Sequence, residues 1–85
     1  MDLVYNVIFY PEPEGGFTVI VPSLPGCVSF GKSLAEARQM IEEAIAGYLA
    51  SLKKHHEKIP SDESAVIGAV HLSAKKCGEY AQAPA

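Results

Sequence analysis

Apolar and polar side chains alternate along this chain with two different periods, one after the other. From Leu3 to Tyr10 nearly every residue is β-branched, aromatic or leucine, and the run stops at Pro11. That composition predicts a first strand. Leu3, Tyr5, Val7 and Phe9 share one face, and Val4, Asn6, Ile8 and Tyr10 share the other. Both faces are largely apolar, so one is expected to pack on a helix and the other to meet a second subunit. Pro11–Gly16, PEPEGG, reads as a hairpin loop. Phe17, Val19 and Val21 then alternate with Thr18 and Ile20, the period-2 pattern of a second strand. Pro22 and Pro25 each fix a backbone angle and remove a ladder donor, and Gly26 accepts a positive φ, so the chain turns rigidly here. Cys27–Phe30 is predicted as a short third strand, ended by Gly31.

At Ser33 the period changes to that of a helix. Ser33 and Glu36 form an S-x-x-E capping box, which satisfies free N–H groups of a first helical turn. Leu34, Ala37, Ile41, Ala44, Ile45, Tyr48 and Leu52 recur at spacings of three and four and line one stripe. Arg38, Glu42 and Glu43 fall mostly off it. Lys53, Lys54, His55 and His56 suit the negative end of the helix dipole, and Pro60 bars continuation. A helix of about 20 residues is about 30 Å long, enough to cover a small sheet. Ser64–Leu72 is predicted as a fourth strand, weakened at Gly68 and Ala69, and residues 73–85 as a short tail. The predicted fold is α+β. It is a two-layer sandwich in the order β-β-β-α-β, with one main helix on a mostly antiparallel sheet. Residues 1–72 make one domain and 73–85 the tail.

With 85 residues the chain has room for one domain and a thin core, which favours oligomerisation. Residues 1–52 carry six acids against two bases, a net of −4, whereas residues 53–85 carry five lysines against four acids, a net of +1. An acidic front disfavours nucleic acid, whose affinity comes from Lys and Arg on phosphates, and suits a basic partner protein. No apolar run approaches the roughly 20 residues of a membrane helix, and Met1-Asp2-Leu3 does not begin a signal peptide. A cytoplasmic location is therefore expected. Cys27 and Cys77 form no CxxC pair and are expected as thiols rather than as a disulfide.

Metal-dependent hydrolysis needs carboxylates clustered on strands, and the predicted strands contain none. Glu12 and Glu14 sit in the hairpin loop, where solvation is the ordinary role. His55 and His56 are adjacent, so on a helix they point about 100° apart and cannot face one metal. His71 stands alone. Cys27 has no evident base beside it and reads as a small core residue. No phosphate loop, dinucleotide fingerprint or zinc spacing is present, so no catalytic residue, metal site or cofactor is predicted.

Three segments carry a resemblance: Gly15-Gly16-Phe17, Val21-Pro22-Ser23-Leu24-Pro25-Gly26-Cys27, and Gly31-Lys32-Ser33-Leu34-Ala35-Glu36-Ala37. Ala44-Ile45, Gly47-Tyr48-Leu49 and Ile59-Pro60 extend it. In this order and spacing, residues 2–72 resemble the HicB-like antitoxins of prokaryotic toxin–antitoxin systems. The resemblance implies a partly degraded ribonuclease H-like core. It also implies a cognate HicA-like toxin, a small basic ribonuclease inhibited by protein–protein contact. Many such antitoxins add a C-terminal DNA-binding domain. About a dozen residues follow Leu72 here, too few for such a module, so direct DNA binding is not expected. Glu12, Glu14, Glu36, Glu42 and Glu43 are the candidate contacts to a basic partner. Two other readings stand beside this one: a solitary homodimer or larger homo-oligomer with no toxin, and a minimal metal-dependent ribonuclease.

Overall fold

A computed structural model describes residues 3–74. Three strands, β1 (Ile8–Pro11), β2 (Phe17–Ile20) and β3 (Val28–Gly31), precede one helix, α1 (Leu34–Lys54). The strands form an antiparallel sheet in the order β1-β2-β3. The arrangement is α+β, as the change of period at Ser33 implies.

Register decides which side chains share a face. Phe9, Val19 and Ser29 stand opposite one another across the sheet, as do Pro11, Phe17 and Gly31. These rows face α1. The core is Val19, Val21, Leu24, Cys27, Ala37 and Ile41, with Tyr5, Val7, Phe9, Phe17, Ala44, Ile45, Tyr48 and Leu49 packed around it. The intervening rows, Ile8–Ile20–Val28 and Tyr10–Thr18–Phe30, point away from the helix.

The proline turn is closed by its own backbone. Leu24 donates its N–H to the carbonyl of Val21, Cys27 donates to Leu24, and Val21 donates back to Cys27, at 3.0, 2.9 and 3.1 Å. Gly26 takes φ +83°, which costs a glycine little. The turn thereby drives Leu24 fully into the core. Tyr48 of α1 donates its hydroxyl to the carbonyl of Pro25 at 2.9 Å, so helix and turn are joined directly.

The helix starts as its capping box requires, with one difference. Ser33 Oγ accepts the N–H of Glu36 at 3.1 Å. The Glu36 carboxylate, however, accepts the N–H of Lys32, one residue before the cap, at 2.9 Å. At the other end Glu57 donates to the carbonyl of Leu52 and His56 to that of Lys53, with His56 at φ +56°. These are the paired bonds of a Schellman C-terminus. Of the predicted stripe, Leu34 is half-exposed, and Leu49 packs against the core although the stripe omits it.

Two strand predictions need correction. The first strand pairs with β2 only from Ile8 onward. Residues 4–6 instead bind the chain after the helix: Val4 accepts the N–H of Asp62 at 2.7 Å, and Asn6 donates its N–H to the Asp62 carboxylate at 2.9 Å. The predicted fourth strand is not formed within the described residues, so the order is β-β-β-α. A turn in which Ala65 donates to Asp62 at 2.9 Å ends the pairing, and Gly68-Ala69 offer little side chain to hold the chain on the sheet. Cys77 and residues 75–85 of the predicted tail lie outside the described residues.

Candidate partner-binding site

An open groove of about 570 Å³ runs between residues 3–7 and one face of α1. Its helical wall is Arg38, Ile41, Glu42, Ile45, Ala46 and Leu49, and Val7 and Tyr5 close the other side. The spacing explains this wall. Positions three, four and seven apart share one face, and only two of the six side chains are charged. Leu3 and Val4 at the mouth are more than 40 % exposed. The result is an apolar floor with an Arg38–Glu42 rim.

Residues 3–7 are held in place by a knot that sequence reasoning missed. The Asp62 carboxylate accepts the N–H of Asn6 and the hydroxyl of Ser23, the latter at 3.0 Å. Tyr5 donates its hydroxyl to the carbonyl of Pro60. One acid thus ties the first segment, the proline turn and the chain after the helix. Burial, with a smaller contribution from the negative charge of Asp62, raises the Tyr5 phenol above its ordinary pKa. Pro60 was visible as a helix stop and as part of the resemblance; an aspartate two residues later carries no signal of long-range bonding.

The five acidic candidates are distributed rather than gathered. Glu42 lines the groove. Glu43 is exposed on α1 and is not among the groove's lining residues. The carboxylate of Glu36 is engaged in the helix cap. Glu12 and Glu14 line a separate cleft of about 370 Å³ in the hairpin, with Pro13, Gly15, Thr18 and Phe30, and Glu12 accepts the hydroxyl of Thr18. Glu12 and Glu36 are therefore already bonded within the chain.

Cys27 is a free thiol in the core, and burial pushes it up, away from the reactive thiolate. Among the described residues, no three His, Cys, Asp or Glu side chains are grouped to hold a metal ion. No helix among them is long and apolar enough to cross a membrane.

Comparison with known proteins follows the same segments. The family model of the HicB-like antitoxin of bacterial toxin–antitoxin systems matches residues 5–79, which include all three strands, the helix and the groove except Leu3 and Val4 at its mouth. The chain belongs to the HicB-like antitoxin family. It is similar to a UPF0150 protein of Thermoplasma acidophilum, with 49 % identity over 63 residues, covering 74 % of this chain and 91 % of that one. A UPF0150 protein of Synechocystis is 33 % identical over 70 residues, covering 82 % and 96 %. A UPF0150 protein of Helicobacter pylori is 40 % identical over 62 residues, covering 73 % and 86 %. The groove, the proline turn and the capped helix are therefore features of a HicB-like antitoxin, and an antitoxin role follows from membership.

Proposed function

We propose that this HicB-like protein binds and silences a small basic ribonuclease of the HicA type, and that the groove beside α1 is where the toxin docks. The observation that carries this reading is the groove itself, an unfilled apolar floor on a protein whose first 52 residues are strongly acidic. Apolar contacts in the groove set the dissociation rate. Glu42 on its rim, Glu43 beside it, and the hairpin acids Glu12 and Glu14 raise the association rate by attracting a cationic partner. Glu36 contributes charge while serving the helix cap. Inhibition is by occlusion, and the antitoxin performs no chemistry of its own. It acts in the cytoplasm, where its RNA-cleaving target works. It can act as a homo-oligomer.

The test is a binding and RNA-cleavage titration with the small basic protein encoded beside this chain. Saturable binding with loss of cleavage is the expected result. Glu42→Lys with Glu43→Lys is expected to weaken binding about tenfold or more, on the scale of a like-charge contact in an interface. Absence of association at low ionic strength, where attraction is strongest, would refute the reading. RNA cleavage by this chain alone with magnesium or manganese would replace it with the nuclease alternative.

A further inference from the structure

The segment Ala65–Ala74 leaves the body of the molecule almost uncovered. Val66 is 93 % and Val70 92 % exposed, and Ile67 and Leu72 are more than 60 % exposed. No residue from Ala65 to Ala74 is acidic or basic except His71. Four large aliphatic side chains in one short stretch do not stay in water without cause. The Cα radius of gyration, 16.7 Å, exceeds the about 12 Å of a compact domain of this length. An arm that projects from the body accounts for part of that excess.

A second apolar surface lies beside the root of the arm. Ile8, Tyr10, Val28 and Phe30, on the face of the sheet turned away from α1, are each 40 % to 53 % exposed. Its six strand positions are uncharged, and Glu12 and Glu14 border it at Thr18 and Phe30. Ile67 and Ile8 line one shallow pocket with Asn6, Val7, Pro22, Ser23 and Asp62, so arm and face are continuous across a partly polar junction.

We infer that residues 65–72 of each copy cover the outer sheet face of a second copy, in a reciprocal exchange. Three observations select a second copy as the occupant. The first is area. At about 200 Å² for a fully exposed large side chain, the face offers roughly 400 Å² per copy, so two faces alone bury about 800 Å², the size of a lattice contact. Adding roughly 600 Å² from each arm brings the total to about 2,000 Å², within the range of stable dimers. The second is symmetry. A molecule with an apolar donor and an apolar acceptor satisfies both at once in a two-fold pair, in which each patch meets the other's counterpart. The third is charge. The strand positions of the face and residues 65–72 carry no Lys, Arg, Asp or Glu, and the nearest acids, Glu12 and Glu14 at the hairpin end and Asp62 at the root of the arm, stand at the border of the contact. The inference concerns the isolated chain and does not depend on a toxin.

The test is sedimentation equilibrium on the full chain, with two double variants. The wild type is expected to have twice the 9.1 kDa mass of one chain at micromolar concentration. Val66→Asp with Val70→Asp alters two side chains that touch almost nothing in the monomer, so its helical circular dichroism should be unchanged. Its self-association should weaken at least ~100-fold, because a buried interface would then hold unpaired carboxylates. Tyr10→Glu with Val28→Glu should do the same from the other surface. A mixture of the two variants should form a heterodimer, since one arm and one face remain intact. A monomeric wild type overturns the inference, whether the arm folds onto its own sheet or awaits another protein. A wild-type dimer unaffected by the arm variant overturns it in favour of direct contact between faces.

Discussion

Gly31 has no room for a methyl group. A Cβ built there would stand 2.2 Å from the backbone nitrogen of Ala37 and 2.5 Å from its Cα. Those atoms are helical backbone and cannot rotate aside. Gly31→Ala must therefore push α1 off β3, exposing part of the contact around Ala37 and Ile41. We expect a loss of about 2–3 kcal/mol, the scale of overpacking in a tight core, measured by urea denaturation. A variant as stable as the wild type would mean that the helix rides higher than described. Gly31 was legible in the sequence only as the end of a strand, because glycine serves turns and close approaches alike. Leu24 shows the same limit. Between two prolines it reads as a turn residue, yet the turn's three backbone bonds deliver it to the centre of the core.

At the scale of elements, α1 was the most legible part of the fold. Ser33, Glu36 and the spacing of apolar residues all point to a start at Leu34, where the helix begins. Its end is less favourable. His56 occupies the left-handed position of the Schellman turn at φ +56°, which costs a side-chain-bearing residue roughly 1 kcal/mol relative to glycine. His56→Gly should therefore raise stability by up to about 1 kcal/mol, or about 4–8 °C in Tm for a domain of this size. A lower Tm would show that the imidazole has a role beyond the turn. The second and third strands were placed to within a residue, whereas the first, expected from Leu3, starts at Ile8. The prediction failed at Ser64–Leu72, since β pattern reports what a segment would do beside a partner, not whether one lies within reach.

At the scale of the whole molecule, charge and apolar surface occupy different regions. The strand positions of the outer sheet face and the arm are uncharged, Glu42 and Glu43 lie on the helix, and Glu12 and Glu14 border the outer face at the hairpin. One molecule can therefore meet a basic protein through the helix side and its own copy through the sheet side. A consequence is that the two associations should respond oppositely to salt. Stopped-flow association with a basic toxin should slow about tenfold or more between ~20 mM and ~500 mM salt, as attraction is screened. Self-association through apolar surface should persist or strengthen over the same range. A toxin association rate indifferent to salt would remove the acidic residues from the recognition step.

Period, capping and turn chemistry are local, and they settled the second and third strands and the start of the helix, while the first strand, expected from Leu3, pairs only from Ile8. The candidate acids could likewise be named from charge alone. Their placement could not, because it depends on which groups meet across dozens of residues. Only the folded chain shows Glu42 on a groove, Glu36 spent on a cap and Asp62 binding segments more than fifty residues apart in the case of Asn6. Such contacts arise when packing brings distant backbone together, and a single side chain's identity carries no record of its distant neighbour.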